Sequence, residues 1–234
     1  MSNLVAVEDN HPPKDKWLRI EWNLGRRCNY DCSYCGSDIH DRESQHLPLD
    51  VIESAVKKIA DTAKSQNKEC RISLTGGEPF VHPKIINILK TIRSNGIKKI
   101  SVTTNGSVPL AKYIDSLPYI SYYIFSYHFE FAYHDKIINT IVELNKLVKE
   151  RNSNQSLHVH LMYLPGKMKE ANEIIDIMNA NDVHWAIRRI RPRIDPQTGT
   201  WAEPGTSGLL TKHGKSSDAY YSPEELEFML RTKK

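Results

Sequence analysis

Apolar and polar residues follow two periods that alternate along the chain. Short segments in which apolar and polar residues alternate predict β-strands at residues 17–23, 71–75, 99–104, 119–127, 157–164 and 183–190. Longer segments with apolar residues three and four positions apart predict helices at residues 48–66, 82–95, 109–117, 135–151 and 167–181. The chain therefore alternates six predicted strands with helices.

This alternation predicts an α/β fold in which parallel strands are joined by right-handed helical crossovers. A closed eight-unit barrel takes about 250 residues, whereas the six units here end at Ile190. An open or partial (β/α)6 barrel of the TIM type therefore fits the length better than a closed barrel. In this arrangement the chemistry is expected at the carboxyl ends of the strands.

The segment after Ile190 has a different composition. Glycine and proline interrupt the periodicity in residues 191–221, which predicts a lid, a binding loop or disorder. Ser222-Pro223-Glu224-Glu225 is typical of a helix start, and predicts a last helix that ends near Arg231. We expect residues 1–190 to form the barrel core and residues 191–234 to form a loop-rich extension of the same domain.

Composition and charge indicate a globular protein but name no partner. The 234 residues are 39% hydrophobic and 26% charged, with a formal net charge of +4, which is too mild to mark a nucleic-acid surface. No segment approaches the roughly 20 apolar residues that span a bilayer, and the first residues lack the features of a secretory leader. The expectation is a cytoplasmic protein with no membrane partner, for which nucleic acid is not the expected ligand.

Three of the four cysteines, Cys28, Cys32 and Cys35, lie within eight residues of one another. Such clustering favours metal ligation in a reducing compartment over disulfide bonds. Three soft ligands without an obvious fourth suit an iron–sulfur cluster that keeps one iron open. A structural zinc site needs a fourth ligand, which His40 or Cys70 could supply. Spacing alone leaves both centres open.

The cysteine segment Cys28-Asn-Tyr-Asp-Cys32-Ser-Tyr34-Cys35, followed by Gly76-Gly77-Glu78-Pro79, resembles the radical S-adenosylmethionine (radical SAM) enzymes. The resemblance extends through Ile190. It implies a [4Fe-4S] cluster on the three cysteines, with S-adenosyl-L-methionine chelating the fourth iron. An electron from the cluster would cleave this cofactor to methionine and a 5'-deoxyadenosyl radical, which abstracts hydrogen from a substrate.

The resemblance also implies partners. An external electron donor of the flavodoxin or ferredoxin type is expected, together with an unidentified small-molecule, peptide or protein substrate. No cysteine follows Cys70, so an enzyme with one cluster is implied.

Several residues near predicted strand ends are candidates to bind the cofactor. Gly76 and Gly77 would let the backbone approach a ligand closely, and backbone groups there, with Glu78, would receive the methionyl ammonium. Tyr34 resembles the aromatic residue of the family that lies near adenine. The residues expected to bind S-adenosylmethionine are Tyr34, Gly76, Gly77, Glu78, Pro79, Asn105, Ser126 and Arg188.

Other polar residues keep two interpretations. Asn105 either lies by the cofactor or only forms a turn, and His128 faces the substrate or solvent. His158, His160 and Met162 share one face of their strand; core residues covered by helices are favoured over cavity-lining residues there. Arg188 and Arg189 point to opposite faces, so one of them would face the cavity and could pair with a carboxylate or phosphate, while the run that continues to Arg191 and Arg193 could also form a solvated rim.

A function of a different class is a non-catalytic binding protein, for ligands that include RNA, in which zinc or an iron–sulfur cluster is structural. The segment Gly76-Gly77-Glu78-Pro79 argues against it, because a structural metal site has no use for a second loop shaped for an amino-acid moiety.

Overall fold

The computed structural model describes residues 16–35, 40–131, 134–151, 154–190, 201–202, 210–211 and 221–231. The strands are β1 (Trp17–Asn23), β2 (Glu69–Thr75), β3 (Lys99–Thr104), β4 (Tyr122–His128), β5 (Ser156–Tyr163), β6 (His184–Arg189), β7 (Trp201–Ala202) and β8 (Leu210–Thr211). The helices are α1 (Leu49–Ser65), α2 (Ile85–Ser94), α3 (Leu110–Ser116), α4 (His134–Glu150), α5 (Met168–Ala180) and α6 (Pro223–Arg231).

The first six strands form one parallel sheet in the order in which they occur in the chain, β1-β2-β3-β4-β5-β6. A sequential order with right-handed crossovers puts all the connecting helices on the same face of the sheet. The predicted α/β fold with a partial (β/α)6 barrel is therefore confirmed.

The core lies between this sheet and its helices, and strand β4 shows how the sequence builds it. Tyr123, Phe125 and Tyr127 are buried on the helix-covered face, while the residues between them are only partly buried. Successive side chains of a strand point to opposite faces, so the partly exposed residues of β4, with their register partners on β5 and β6, define the other face of the sheet, which we call the open face.

The helices bury the stripes that the periodicity predicts. In α2, Ile85, Ile88, Leu89 and Ile92 are fully buried. This helix begins three residues later than predicted, because a short 3₁₀ helix, Pro79–Val81, comes first. Strand β4 also begins later than predicted, since the backbone N–H groups of Tyr119 and Ile120 both bond to the carbonyl of Ser116 in a turn.

Most of the predicted loop at 191–221, with Arg191 and Arg193, lies outside the described residues. Within it the structure has an antiparallel pair, β7 and β8, of two residues each, which the sequence did not predict. Strands of this length carry no periodicity.

Helix α6 confirms the predicted helix start and docks on the end of the sheet. Its cap is reciprocal, because the Glu225 N–H donates to the Ser222 hydroxyl while the Ser222 N–H donates to the Glu225 carboxylate. Glu225 also accepts from the Tyr163 hydroxyl and the Gly166 N–H, and Tyr221 bridges the Ile190 N–H and the Tyr163 carbonyl. The polar groups of Glu225 and Tyr221 thus attach α6 to the ends of β5 and β6. No described helix is both long enough and apolar enough to cross a membrane.

Candidate active site

The cysteine loop that follows β1 and the Gly-Gly-Glu-Pro loop that follows β2 form one hydrogen-bonded unit. The Leu24 N–H donates to the Thr75 carbonyl at 2.9 Å, and the Gly77 N–H donates to the Gly25 carbonyl at 2.8 Å. The Glu78 N–H then donates to the Arg27 carbonyl at 2.9 Å. These bonds continue the parallel ladder of β1 and β2 up to the first cysteine, so the two motifs hold each other in place.

Gly76 and Gly77 are required by this contact between the two loops. Gly76 has φ +124°, a conformation that side chains disfavour, and a Cβ there would overlap Asn23 and the Gly25 carbonyl oxygen. A Cβ on Gly77 would overlap the carbonyl oxygens of Arg26 and Arg27. The backbone that closely approaches these glycines is that of the cysteine loop, and their approach to a ligand stays a prediction.

The Glu78 side chain is buried and bonded to protein groups. One carboxylate oxygen accepts from the Phe80 N–H at 2.9 Å and the Thr104 hydroxyl at 2.8 Å, and the other accepts from the Asn105 N–H at 2.5 Å. Burial raises the pKa of Glu78 to about 7, although the three hydrogen bonds act to lower it. The carboxylate therefore joins the end of β2 to the end of β3, and its contact with the methionyl ammonium stays a prediction. Pro79 is buried beside it as the first residue of the 3₁₀ helix.

The three clustered cysteines form no disulfide, and Cys32 is buried while Cys28 and Cys35 are partly exposed. The Cys28 sulfur receives the Tyr30 N–H at 3.4 Å and the Asn105 side-chain amide at 3.8 Å. Burial raises the pKa of Cys32 to about 12 and also raises that of Cys28. Because metals bind thiolates, a metal centre would displace protons from these thiols.

The end of β4 contacts the cysteine loop through His128. Its Nδ1 lies 2.6 Å from the Tyr34 hydroxyl and 3.5 Å from the Cys32 sulfur, and its ring stacks on that of Tyr34 at a centroid distance of 5.9 Å. Burial lowers the pKa of His128 to about 4, so the imidazole is neutral at physiological pH. His128 therefore faces the cysteine loop rather than solvent, and its contact with a substrate stays a prediction.

Glu130, two residues further on, is a functional candidate that the sequence analysis missed. Its carboxylate accepts from both the backbone N–H of Ser33, at 2.8 Å, and the hydroxyl of Ser33, at 2.5 Å. Ser33 lies between the second and third cysteines, so this pair fixes the middle of the cysteine loop to β4. The only sequence signal was an acidic residue three positions after the end of the predicted strand at 119–127.

The arrangement of thiols can be tested against the two centres that spacing left open. Within the described residues, no three His, Cys, Asp or Glu side chains converge as a single ion would need. A cluster places its cysteines on different irons, so the three thiols need only surround it. Cys70 lies in the hydrophobic core, paired with Leu18 near the amino end of β2, and the buried His40 bonds to Asp31 at 3.1 Å. The donor set fits an iron–sulfur cluster better than zinc.

The remaining candidates lie on the open face of β4, β5 and β6. Ser126, His160 and Ala186 are register partners across these strands, and Arg188 bonds to His160 at 3.1 Å. The favoured expectation that His158 and His160 are covered by helices was wrong. Both are partly exposed, whereas Leu157, Val159 and Leu161 carry the helix-covered face of β5.

The structure thus brings most of the candidates to one edge of the sheet. Asn105 takes part in the site as well as in a turn: its side chain donates to Cys28 and Asn29, while its oxygen accepts from the Ser107 N–H. Ser126 and Arg188 lie on the neighbouring open face, further from the cysteine loop.

A partial parallel barrel with three thiols at the carboxyl end of its first strand defines a class of proteins that hold an iron–sulfur cluster at the strand ends. The chain belongs to the Radical SAM superfamily, whose family model matches residues 22–178. This superfamily uses a [4Fe-4S] cluster and S-adenosylmethionine.

Each individual relative aligns with this chain over only part of the relative's own length. The chain is 34% identical over 104 residues to a probable GTP 3',8-cyclase of Methanothermobacter marburgensis, an alignment that covers 44% of this chain and 32% of the relative. Among solved structures, Streptococcus suis SuiB superposes with a TM-score of 0.59 at 17% identity, covering 93% of this chain and 45% of SuiB. SuiB bound to its precursor peptide SuiA gives a TM-score of 0.56 at 18% identity, covering 75% of this chain and 39% of that one. The chain spans about a third of the length of the curated relative and less than half of SuiB.

Proposed function

We propose that the protein is a radical SAM enzyme that holds a [4Fe-4S] cluster on Cys28, Cys32 and Cys35 and cleaves S-adenosylmethionine reductively. The chemistry supplied by the bound cluster is one-electron reduction of the sulfonium, which gives methionine and a 5'-deoxyadenosyl radical that takes hydrogen from a substrate. The protein residues bind, orient and shield these groups.

The observation that carries the proposal is the joining of the two motifs into one unit. The Gly77 and Glu78 N–H groups bond to carbonyls of the cysteine loop, and Glu78 extends the unit to Thr104 and Asn105. A structural metal site does not need the second loop. This unit supports a preorganised site, in which a cofactor meets groups that are already fixed.

We assign the cofactor contacts to groups within this unit and on the strand ends beside it. Backbone groups near Gly76 and Pro79 are proposed to receive the methionyl ammonium, while Glu78 positions the loop. Tyr34, oriented by His128, is proposed to lie against adenine. Ser126, on the open face next to β5, is proposed to contact the ribose, and Asn105 to support the first cysteine.

The partners are part of the proposal. Superfamily members need an electron donor and a substrate, and we propose a small donor of the flavodoxin or ferredoxin type in a reducing compartment such as the cytoplasm, where free thiols persist. The names of the relatives point to different molecules, GTP in one case and a precursor peptide in the other. We therefore propose neither as the substrate of this protein. We also propose that residues 191–234 belong to the same domain as the barrel, which the contacts of Tyr221 and Glu225 support.

Anaerobic reconstitution of matched cysteine variants tests the proposal. The wild-type protein should bind a [4Fe-4S] cluster and, with a reductant and S-adenosylmethionine, release 5'-deoxyadenosine measurable by chromatography. Cys32→Ala should abolish both. Cys70→Ala, which removes a thiol from the core, should retain them. A colourless zinc protein, or cofactor cleavage that survives in Cys32→Ala, would contradict the proposal and favour the structural metal site.

A further inference from the structure

Arg188 occupies the carboxyl end of β6 on the open face, beside a group of histidines. In the sheet register it pairs with Met162, and two residues earlier Ala186 pairs with His160. One Arg188 terminal nitrogen lies 3.1 Å from Nε2 of His160. His158 and His160 are in edge contact, with ring centroids 5.2 Å apart. A guanidinium and two imidazoles therefore share one patch of the open face.

The chemistry of the guanidinium fixes the direction of the hydrogen bond between Arg188 and His160. A guanidinium can only donate, so Nε2 of His160 accepts and the imidazole is neutral. Burial, followed by the charge of Arg188, lowers the pKa of His160 to about 4, which agrees with this assignment. The pair therefore carries a single positive charge, located on Arg188, and the histidine orients it without neutralising it.

The positive charge of Arg188 has no carboxylate partner in the described part of the chain, where His160 is its one hydrogen-bonding neighbour. A guanidinium has five N–H donors in a planar fork that matches a carboxylate or phosphate. Most of these donors have no protein partner among the described residues, which leaves them for a ligand. Because Arg188 is exposed to the open face, an oxyanion could reach them without any rearrangement of the sheet.

Arg188 is close enough to the cysteine loop for one small molecule to reach both. Arg188 pairs with Met162, and Met162 pairs with His128, which contacts Cys32. Two strand spacings separate the backbones of β6 and β4, about 10 Å. A small molecule anchored at Arg188 could therefore extend to the cysteine loop.

We propose that Arg188, oriented by His160, forms a binding site for a carboxylate or phosphate group of the substrate. This assignment of a substrate class rests on the function proposed above. The alternative source of the same chemistry is the methionyl carboxylate of S-adenosylmethionine. A cofactor held at the cysteine loop would keep that carboxylate at the other end of the patch.

Anion titrations of the reconstituted holoprotein test the site without turnover. With ¹⁵N-labelled histidine, inorganic phosphate and acetate are added separately, and the imidazole resonance of His160 is followed by NMR. At least one anion should shift it saturably. Arg188→Gln should weaken that binding by about tenfold or more, as loss of a charge-assisted hydrogen bond implies, whereas Arg188→Lys should retain part of it. Arg189→Gln removes the same charge from the opposite face of β6, and should keep wild-type affinity.

Three results would overturn the proposal: no response of His160 to either anion, equal losses in Arg188→Gln and Arg189→Gln, or a loss of S-adenosylmethionine affinity in Arg188→Gln. The last result, measured by equilibrium dialysis, would assign Arg188 to the methionyl carboxylate. Anion binding does not require cofactor cleavage, so failure of the proposed function would appear separately, as absent 5'-deoxyadenosine with an intact anion response.

Discussion

At the scale of single residues, Glu78 links stability to pH. Its folded-state pKa of about 7 lies above the ordinary value of 4.5 because of burial. A carboxyl group with a raised pKa contributes stability below its unfolded pKa, and that contribution is lost as the pH rises through the folded value. Ionisation of Glu78 should therefore reduce the free energy of unfolding by on the order of 3 kcal/mol as the pH rises from about 4.5 to above 7.

The Glu78→Gln variant isolates this effect because it cannot ionise. Its amide also leaves one of the three donors around the side chain unsatisfied, at a cost of about 1–3 kcal/mol. Thermal unfolding at about pH 5.5 should show the variant well below the wild type, and at about pH 8 the difference should shrink. A difference that does not change with pH would mean that Glu78 does not titrate in this range.

Gly77 has a steric role that a single methyl group tests. In Gly77→Ala, the new Cβ would overlap two carbonyl oxygens of the cysteine loop, and displacing that backbone should cost about 1–3 kcal/mol. The variant should therefore bind less iron after anaerobic reconstitution, measured by iron analysis. In Gly96→Ala, the Cβ meets open space at φ +85°, so this control should lose about 1 kcal/mol of stability and keep its iron. Equal iron loss in both variants would contradict the steric role.

At the scale of elements, the end of β4 acts as a clamp on the cysteine loop. Glu130→Gln removes the negative charge that strengthens both Ser33 hydrogen bonds, and its amide nitrogen has to face the Ser33 hydroxyl, which then accepts instead of donating, so it should destabilise the loop by about 1–3 kcal/mol. Amide exchange of residues 30–35 should then become about ten- to a hundredfold faster. Ser33→Ala keeps the backbone bond and should show a smaller increase. An unchanged exchange rate in Glu130→Gln would show that the clamp is not needed.

Most elements were predictable because their signals are local. The buried stripe of α2 and the alternation of β3 each follow from residues that are close in the sequence, and β3 has the predicted bounds. The open-face position of His158 and His160 could also have been predicted. Helices cover apolar residues, and the apolar set of β5 is Leu157, Val159 and Leu161, which point to the opposite face from the two histidines. The alternation itself shows only which residues share a face.

The contacts of the site were harder to predict than its motifs. The cysteines and the Gly-Gly-Glu-Pro segment are short patterns, but the bond between Ser33 and Glu130 spans 97 positions in the sequence. The burial of Glu78 likewise depends on Thr104 and Asn105, which arrive from the next strand. Such contacts follow from the strand order, and a sequence pattern does not encode them until the fold is known.

At the scale of the whole molecule, the parallel order of the sheet explains why distant segments meet. The carboxyl ends of β1, β2, β3 and β4 lie side by side, which brings Cys28, Glu78, Asn105 and His128 to one edge. The helices cover the opposite face and leave this edge and the open face accessible. The cluster site at β1–β4 is therefore separate from the substrate site that we propose toward β6.

The proposed function requires that the three thiols hold a cluster whose remaining iron binds S-adenosylmethionine. Electron–nuclear double resonance of the anaerobically reduced protein tests it most directly, with S-adenosylmethionine carrying ¹⁵N in its amino group and ¹⁷O in its carboxylate. If the open iron binds the amino and carboxylate groups, both labels should show hyperfine coupling to the reduced cluster. A cluster signal that is unchanged by the cofactor and shows no coupling to either label would contradict it.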